Sequence, residues 1–374
     1  MTILASVRPA RLRERLSTSP KWLKLILLVA AALLMYALPL LNPPIISTPD
    51  TEFGGVLFTV TTYVLVALGL NIVIGYAGLL DLGYIGFYAV GAYTVGVLGS
   101  EHGHLPWLIC LPIAAVVATV SGLILGAPTL RVRGDYLAIV TLGFGEIIRL
   151  TATNSSWLGA AAGIPDIPKP PSVHLFEVPH LVWNGGVASV DLTDKSTFLE
   201  FGVIDSTPYY WLGLTMVILV LIADRLIKDS RIGRSWEATR EDEDAAEVMG
   251  VPTFKFKLLA FAMGAFIGGL SGGLYATVNS FISPQSFLLL FSILFVAAVV
   301  VGGAGNRWGV IVGAIAVSYL PERFRGFADY RVLVFGVVLI LLAIFRSQGL
   351  LPPRRTVRAR RLPGGGTEGG GLNA

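Results

Sequence analysis

Asp229-Ser-Arg-Ile-Gly-Arg-Ser-Trp-Glu-Ala-Thr-Arg-Glu-Asp-Glu-Asp-Ala-Ala-Glu-Val-Met-Gly250 separates two long apolar stretches and is dense in charge where its flanks are nearly free of it. The segment is written as a short helix. Thr239 is placed to cap its start with Asp242 three residues on, Glu241, Asp242, Glu243 and Asp244 crowd the positive end of the helix dipole, and Gly250 followed by Pro252 stops it. A helix of about 11 residues is marginal in water, so it needs a surface to dock on. Trp236, Ala245, Ala246, Val248 and Met249 offer an apolar face for that. The segment reads as a plug gripped by a soluble partner; the plainer reading is a solvated linker.

The rest of the chain says which partner is meant. Of 374 residues, 54% are hydrophobic and only 14% charged, with a mean hydropathy of +0.72. Soluble domains average about 25% charged residues, so the composition is that of an integral membrane protein. Cys110, the single cysteine, lies in an apolar run, which excludes disulfides and thiolate metal sites. The net charge of +4 is no nucleic-acid signal, because the basic residues cluster beside apolar spans.

A bilayer core needs about 20 apolar residues per helix. On that basis the sequence predicts an all-α polytopic protein with ten spans, near 22–41, 53–74, 83–99, 105–127, 136–153, 208–227, 257–279, 287–304, 308–321 and 330–346. The ninth is short enough to be tilted, broken or re-entrant. The first follows a basic stretch, residues 1–21, without a convincing cleavage site and reads as a retained helix. With both termini in the cytoplasm, all but six of the 28 lysines and arginines fall inside: Lys169, Lys195, Arg323, Arg325 and Arg331 lie outside, and Arg149 sits within a span. Lys/Arg bias sets orientation, so the charged segment, within an inner connection at 228–256, is expected on the cytoplasmic side. Residues 154–207 form an acidic, Pro- and Gly-rich outer loop, too irregular for a domain, and 353–374 is a basic, then Gly-rich tail expected to be disordered on the headgroups. The membrane-embedded body is thus 22–352.

Lipid gives helices no hydrophobic reason to associate, so close backbone approach must supply the attraction. Gly264, Gly268 and Gly272 recur at four-residue spacing in one span, and Gly305, Gly309 and Gly313 are assigned to another. Such sets imply a tightly packed bundle. Gly75-Tyr-Ala-Gly-Leu-Leu-Asp-Leu-Gly83, after Asn71, breaks two spans and brings Tyr76, Gly78 and Asp81 together; it reads either as a re-entrant turn beside a pathway or as an ordinary hairpin. Glu146 and Arg149 share a helix face in the fifth span. A charge at the bilayer centre costs about 2.5–3.5 kcal/mol on insertion scales, so both should face the protein interior, as a structural pair or as groups meeting a charged solute. No Gly-Lys-Ser/Thr, Gly-x-Ser-x-Gly or His-Glu-x-x-His occurs, so no enzyme is expected and any nucleotide would be hydrolysed elsewhere.

Several runs carry a family resemblance over about Thr59 to Pro352: Gly75 to Tyr84 with Phe87-Tyr-Ala-Val-Gly-Ala-Tyr93; Leu130-Arg-Val-Arg-Gly-Asp-Tyr through Arg149; Gly233-Arg-Ser-Trp-Glu-Ala-Thr-Arg-Glu-Asp-Glu243; and Asp329-Tyr-Arg-Val-Leu-Val-Phe-Gly336. The chain resembles the second permease subunit of high-affinity branched-chain amino acid ABC importers, the LivM family. The resemblance implies a type II-like importer bundle in a prokaryotic plasma membrane. It also implies a sister permease subunit, two ATPase subunits that hold ATP and magnesium, and an extracytoplasmic solute-binding protein; this chain would bind no cofactor. Residues Gly233 to Gly250 would then be the coupling helix, with Gly233, Arg234, Trp236, Glu237, Ala238, Arg240, Glu241, Asp242, Ala245, Ala246 and Gly250 at the contact. One departure stands out: where the family favours Gly-Gly-x-x-Gly-Ile, this chain has Gly159-Ala-Ala-Ala-Gly-Ile164. The nearest alternative is the same machinery carrying urea or another small amide. An alternative of another class is an ion-coupled transporter using Glu146.

Overall fold

The computed structural model describes residues 21–43, 52–100, 103–130, 135–172, 177–184, 187–197, 200–202 and 205–323, with a few positions between 336 and 351. Residues 1–20, most of the expected tenth span at 330–346, residues 329–335 and the tail lie outside the described residues. Within them run helices α1 (Lys21–Leu41), α2 (Phe53–Leu70), α3 (Tyr84–Gly99), α4 (Trp107–Thr129), α5 (Asp135–Asn154), α6 (Thr207–Lys228), α7 (Arg231–Glu241), α8 (Glu243–Val248), α9 (Thr253–Asn279), α10 (Leu289–Gly302) and α11 (Arg307–Arg323). Among the described residues, six helical stretches are long and apolar enough to cross a membrane: Phe53–Tyr76, Trp107–Thr129, Tyr136–Asn154, Thr207–Lys228, Thr253–Asn279 and Pro284–Gly302.

Two of these are central. α2 and α9 are mostly enclosed, whereas α4, α5, α6 and α10 leave apolar faces outward, among them Leu108, Val116, Ile124, Ile139 and Ile147. α9 packs between α3 and α4 and also against α2. Glycine makes this possible. A Cβ at Gly272 would lie 1.9 Å from the Tyr88 carbonyl oxygen, one at Gly268 3.1 Å from the Phe87 Cβ, and one at Gly264 2.5 Å from the Val73 Cγ2. One turn face away, a Cβ at Gly269 would come within 2.4 Å of Ala118. At such separations backbones meet through dispersion and little else, which is what association in lipid requires. Directional bonds fix the register: Tyr84 Oη donates to the Gly264 carbonyl at 2.7 Å, and Trp107 Nε1 donates to Thr277 Oγ1 at 2.7 Å. Gly309 and Gly313 likewise pack α11 on α10, facing Gly302 and the Ala298 carbonyl. Gly305 is not part of that helix. It sits at φ +90° in the turn between α10 and α11.

The outer loop, expected to be irregular, holds a hairpin. Strands β1 (Glu177–Asn184) and β2 (Val187–Thr197) pair antiparallel, with Asn184 opposite Val187 and a bulge at Pro179/His180. The physical cause was present in Asn184-Gly-Gly-Val187, a hairpin signal between Val-rich flanks. The same side of the molecule is laced by an antiparallel bridge between Ile164 and Ile282 and by Glu52, which accepts from Ser206 N and Oγ at 2.5 and 2.9 Å.

Candidate functional site

The charged segment is two helices, not one. Ser230, not Thr239, caps the first: its Oγ accepts from Ile232 N at 3.1 Å. Thr239 lies buried inside α7, its hydroxyl donating to the Ser235 carbonyl at 2.8 Å. Asp242 breaks the helix with extended backbone and caps α8, accepting from Ala245 N at 2.9 Å. An acidic cap at a helix N-terminus satisfies an orphan amide and suits the dipole. Gly250, at φ +84°, ends the segment as its sequence demands.

The chain turns sharply from α6 into α7, so tightly that a Cβ at Gly233 would lie 2.4 Å from the Lys228 carbonyl oxygen. Trp236 is fully buried and its Nε1 donates to the Phe256 carbonyl at 2.7 Å, pinning α7 to the first turn of α9. Glu243 pairs with Lys257, and Thr253 Oγ1 donates to Glu247 Oε1 at 2.7 Å. Ala246 is buried beneath them. The apolar set singled out in the sequence is therefore divided. Trp236 and Ala246 face this chain's own bundle, while Ala245, Val248 and Met249 face outward with Arg234, Glu237, Glu241 and Asp244, and Ala238 is half-buried. Val248 is 87% and Met249 83% exposed, which makes α8 an apolar tip ringed by acid.

Inward, Arg240 Nη1 donates to the Gly75 carbonyl, and its stem lies where a Cβ at Gly78 would sit, 2.8 Å from Cγ. Gly75 belongs to a π-helical turn, Asn71–Tyr76, that closes α2. Such turns are rare and frequent at functional sites. Asn71 Oδ1 accepts from Gly305 N at 2.8 Å. Tyr76 Oη donates to Asp224 Oδ2 at 3.2 Å, and Arg307 Nη1 lies 3.5 Å from that same oxygen. Lys228 Nζ donates to the Gly305 carbonyl at 3.0 Å and stands 4.8 Å over the Tyr76 ring. Asn71, Tyr76, Gly78 and Gly305 thus gather at the α7 end of the bundle. Sequence reasoning missed Asp224 and used Lys228 and Arg307 only as basic residues for orientation; the available signal was a carboxylate within an apolar span.

The remaining sequence candidates, Asp81, Glu146 and Arg149, make their hydrogen bonds elsewhere. Asp81 is buried between the π turn and α3, with Oδ1 accepting from Gly83 N at 2.9 Å and Oδ2 without a hydrogen-bond partner. Burial pushes its carboxyl up to about 6. Neighbouring bonds fix the loop: Leu82 N donates to Thr141 Oγ1 at 3.1 Å, and Ser292 Oγ donates to the Leu82 carbonyl at 2.5 Å. Glu146 and Arg149 form a bidentate pair halfway along α5, with Nε–Oε2 2.9 Å and Nη2–Oε1 2.5 Å, and the Glu146 side chain keeps 39% of its surface.

Apolar helices packed through glycine, with a charged two-helix segment anchored at one end, define a multi-pass membrane protein. The chain belongs to the family described as branched-chain amino acid transport system / permease component, whose profile matches residues 53–343. It is 41% identical over 295 residues to the high-affinity branched-chain amino acid transport system permease protein LivM of Escherichia coli (strain K12), a match covering 78% of this chain and 68% of that protein. Similarity to the LivM protein of Salmonella typhimurium is 40% identity over 300 residues, with the same coverage. A more distant relative, the probable LivM of Methanocaldococcus jannaschii, is 23% identical over 339 residues, covering 78% of this chain and 91% of that protein. No solved structure matches.

Proposed function

We propose that this chain is a membrane-spanning subunit of an ATP-driven importer that moves branched-chain, aliphatic L-amino acids into a prokaryotic cell. A sister permease subunit completes the bundle, two ATPase subunits bind ATP and magnesium, and an extracytoplasmic binding protein delivers the solute. About ten spans with both termini in the cytoplasm suit the distribution of lysine and arginine. The observation that carries the reading is the α7–α8 segment. It is rigidly anchored inward through Trp236 and Arg240, yet presents Val248 and Met249 outward, an arrangement without purpose unless another protein covers it. Alternating access follows: closure of the ATPase dimer displaces α7 and α8, and the bundle opens towards the loaded binding protein. The solute passes between the two permease chains. Glu146 and Arg149 border that path, because hydrocarbon does not tolerate a half-exposed carboxylate at mid-span. Asn71, Tyr76, Gly78 and Asp81 form its gate region at the α7 end.

Binding-protein-dependent uptake by the reconstituted complex tests this reading, with labelled leucine and urea as rival cargoes. Leucine uptake that needs ATP is the expected result. Urea uptake, or leucine uptake that survives ATP depletion and fails with an uncoupler, overturns it. Glu241→Lys should abolish uptake while the chain still inserts in the membrane.

A further inference from the structure

The cluster around Asp224 joins four pieces of chain that are remote in sequence: the π turn closing α2, the last turn of α6, the turn between α10 and α11, and α7. We infer that Tyr76, Asp224 and Arg307 are positioning residues that convert displacement of α7 into movement of α2 and α11; the inference rests on the transport reading above.

The geometry is that of a latch. Asp224 is 2% exposed and is the one acidic residue of α6, and a carboxylate so buried is held only by partners that neutralise it. Those partners come from other helices: the Tyr76 hydroxyl from α2's closing turn at 3.2 Å and the Arg307 guanidinium from the start of α11 at 3.5 Å. Lys228, one turn beyond Asp224, binds the Gly305 carbonyl, and Gly305 N in turn binds Asn71. Arg240 of α7 grips the π turn at Gly75. A shift of α7 therefore pulls first on the π turn, and the π turn cannot move without carrying Asp224 and Arg307 or breaking with them. Breaking leaves a buried charge unpaired, so the group moves together or switches between two arrangements. The cluster holds the means for a second arrangement: Asp224 Oδ1 is a buried acceptor without a hydrogen-bond partner. A latch that were only structural would have little reason to leave that oxygen unused.

The test uses the complete complex in vesicles, measuring leucine uptake and ATP hydrolysis on the same preparation. Asp224→Asn and Arg307→Gln are expected to lower leucine moved per ATP hydrolysed by about tenfold while hydrolysis continues, the scale of one lost charged hydrogen bond. Tyr76→Phe, which keeps the ring under Lys228 and removes only the hydroxyl, should give a smaller drop in the same ratio. Arg307→Lys should recover most of it. An unchanged ratio in Asp224→Asn and Tyr76→Phe overturns the inference. So does a parallel loss of uptake and hydrolysis in assembled complexes, because the fault would then lie in docking. If Asp224→Asn fails to assemble, Tyr76→Phe decides by the same ratio. A wild-type complex that shows no ATP-dependent uptake would count against the transport reading itself, a result visible before any variant is made.

Discussion

The Trp236 indole N–H donates to the Phe256 carbonyl at 2.7 Å, so one fully buried side chain fixes the distance between α7 and the first turn of α9. Trp236→Phe keeps most of the burial and loses the bond, leaving a buried carbonyl without that partner. It should cost about 1–3 kcal/mol. Trp236→Ala adds a cavity and should cost about 3–5 kcal/mol. Thermal unfolding of the detergent-solubilised chain should rank them in that order, and equal midpoints would show that the indole is not a structural pin.

Val248 and Met249 should behave in the opposite way. Both are almost fully exposed, so Val248→Glu and Met249→Glu should change the chain's own stability by within about 0.5 kcal/mol. Their effect should fall on assembly, because each places a further acid on a tip already ringed by Glu241, Asp242, Asp244 and Glu247. Co-purification with the ATPase subunits should drop sharply in the double variant. Full recovery of the complex would remove α8 from the interface.

Asp81 makes stability depend on pH. Its carboxyl is raised to about 6 in the folded chain, from 3.8, because it is buried. A raised carboxyl stabilises the fold fully below its unfolded value near pH 4 and loses that contribution as pH rises through about 6. The difference is on the order of 3 kcal/mol. The solubilised chain should therefore unfold at a higher temperature at pH 5 than at pH 7.5, and Asp81→Asn should flatten that slope. An equal slope in the variant would assign the pH dependence to other groups.

What was legible in the sequence follows from whether the signal was local. The four-residue spacing of Gly264, Gly268 and Gly272 sufficed to place three close contacts on one face, because helix geometry carries that information by itself. The position of the charged segment was equally plain. Its capping was not: Thr239 and Asp242 satisfy the same grammar, and only the break at Asp242, with Ser230 opening α7, decides between them. The hairpin at Glu177–Thr197 was masked by Pro, Gly and acidic residues that read as irregular, although Asn184-Gly-Gly stood in view. Gly305 kept the four-residue spacing yet fell outside its helix, since α11 begins at Arg307. The Tyr76–Asp224–Arg307 cluster was beyond reach, because its members stand at the ends of three helices that only packing brings together.

Those glycines also permit a graded test of the bundle. A Cβ at Gly272 would strike the backbone carbonyl of Tyr88 at 1.9 Å, and backbone in a packed helix cannot yield. At Gly268 the nearest atom is the Phe87 Cβ at 3.1 Å, a contact that a few tenths of an ångström relieve. At Gly143, on the outward side of α5, nothing lies within 4 Å. Alanine at the three positions should therefore diverge. Gly272→Ala should cost several kcal/mol, on the scale of about 1–3 kcal/mol or more for overpacking, and Gly268→Ala less. Gly143→Ala should be neutral or stabilising by up to about 1 kcal/mol, since alanine is the better helix former. Gly268→Leu cannot be absorbed in this way and should lower the yield of folded chain by wedging α9 from α3. Thermal midpoints and yields of the four variants check the series. Equal behaviour of Gly272→Ala and Gly143→Ala would mean that α9 and α3 do not meet backbone to backbone.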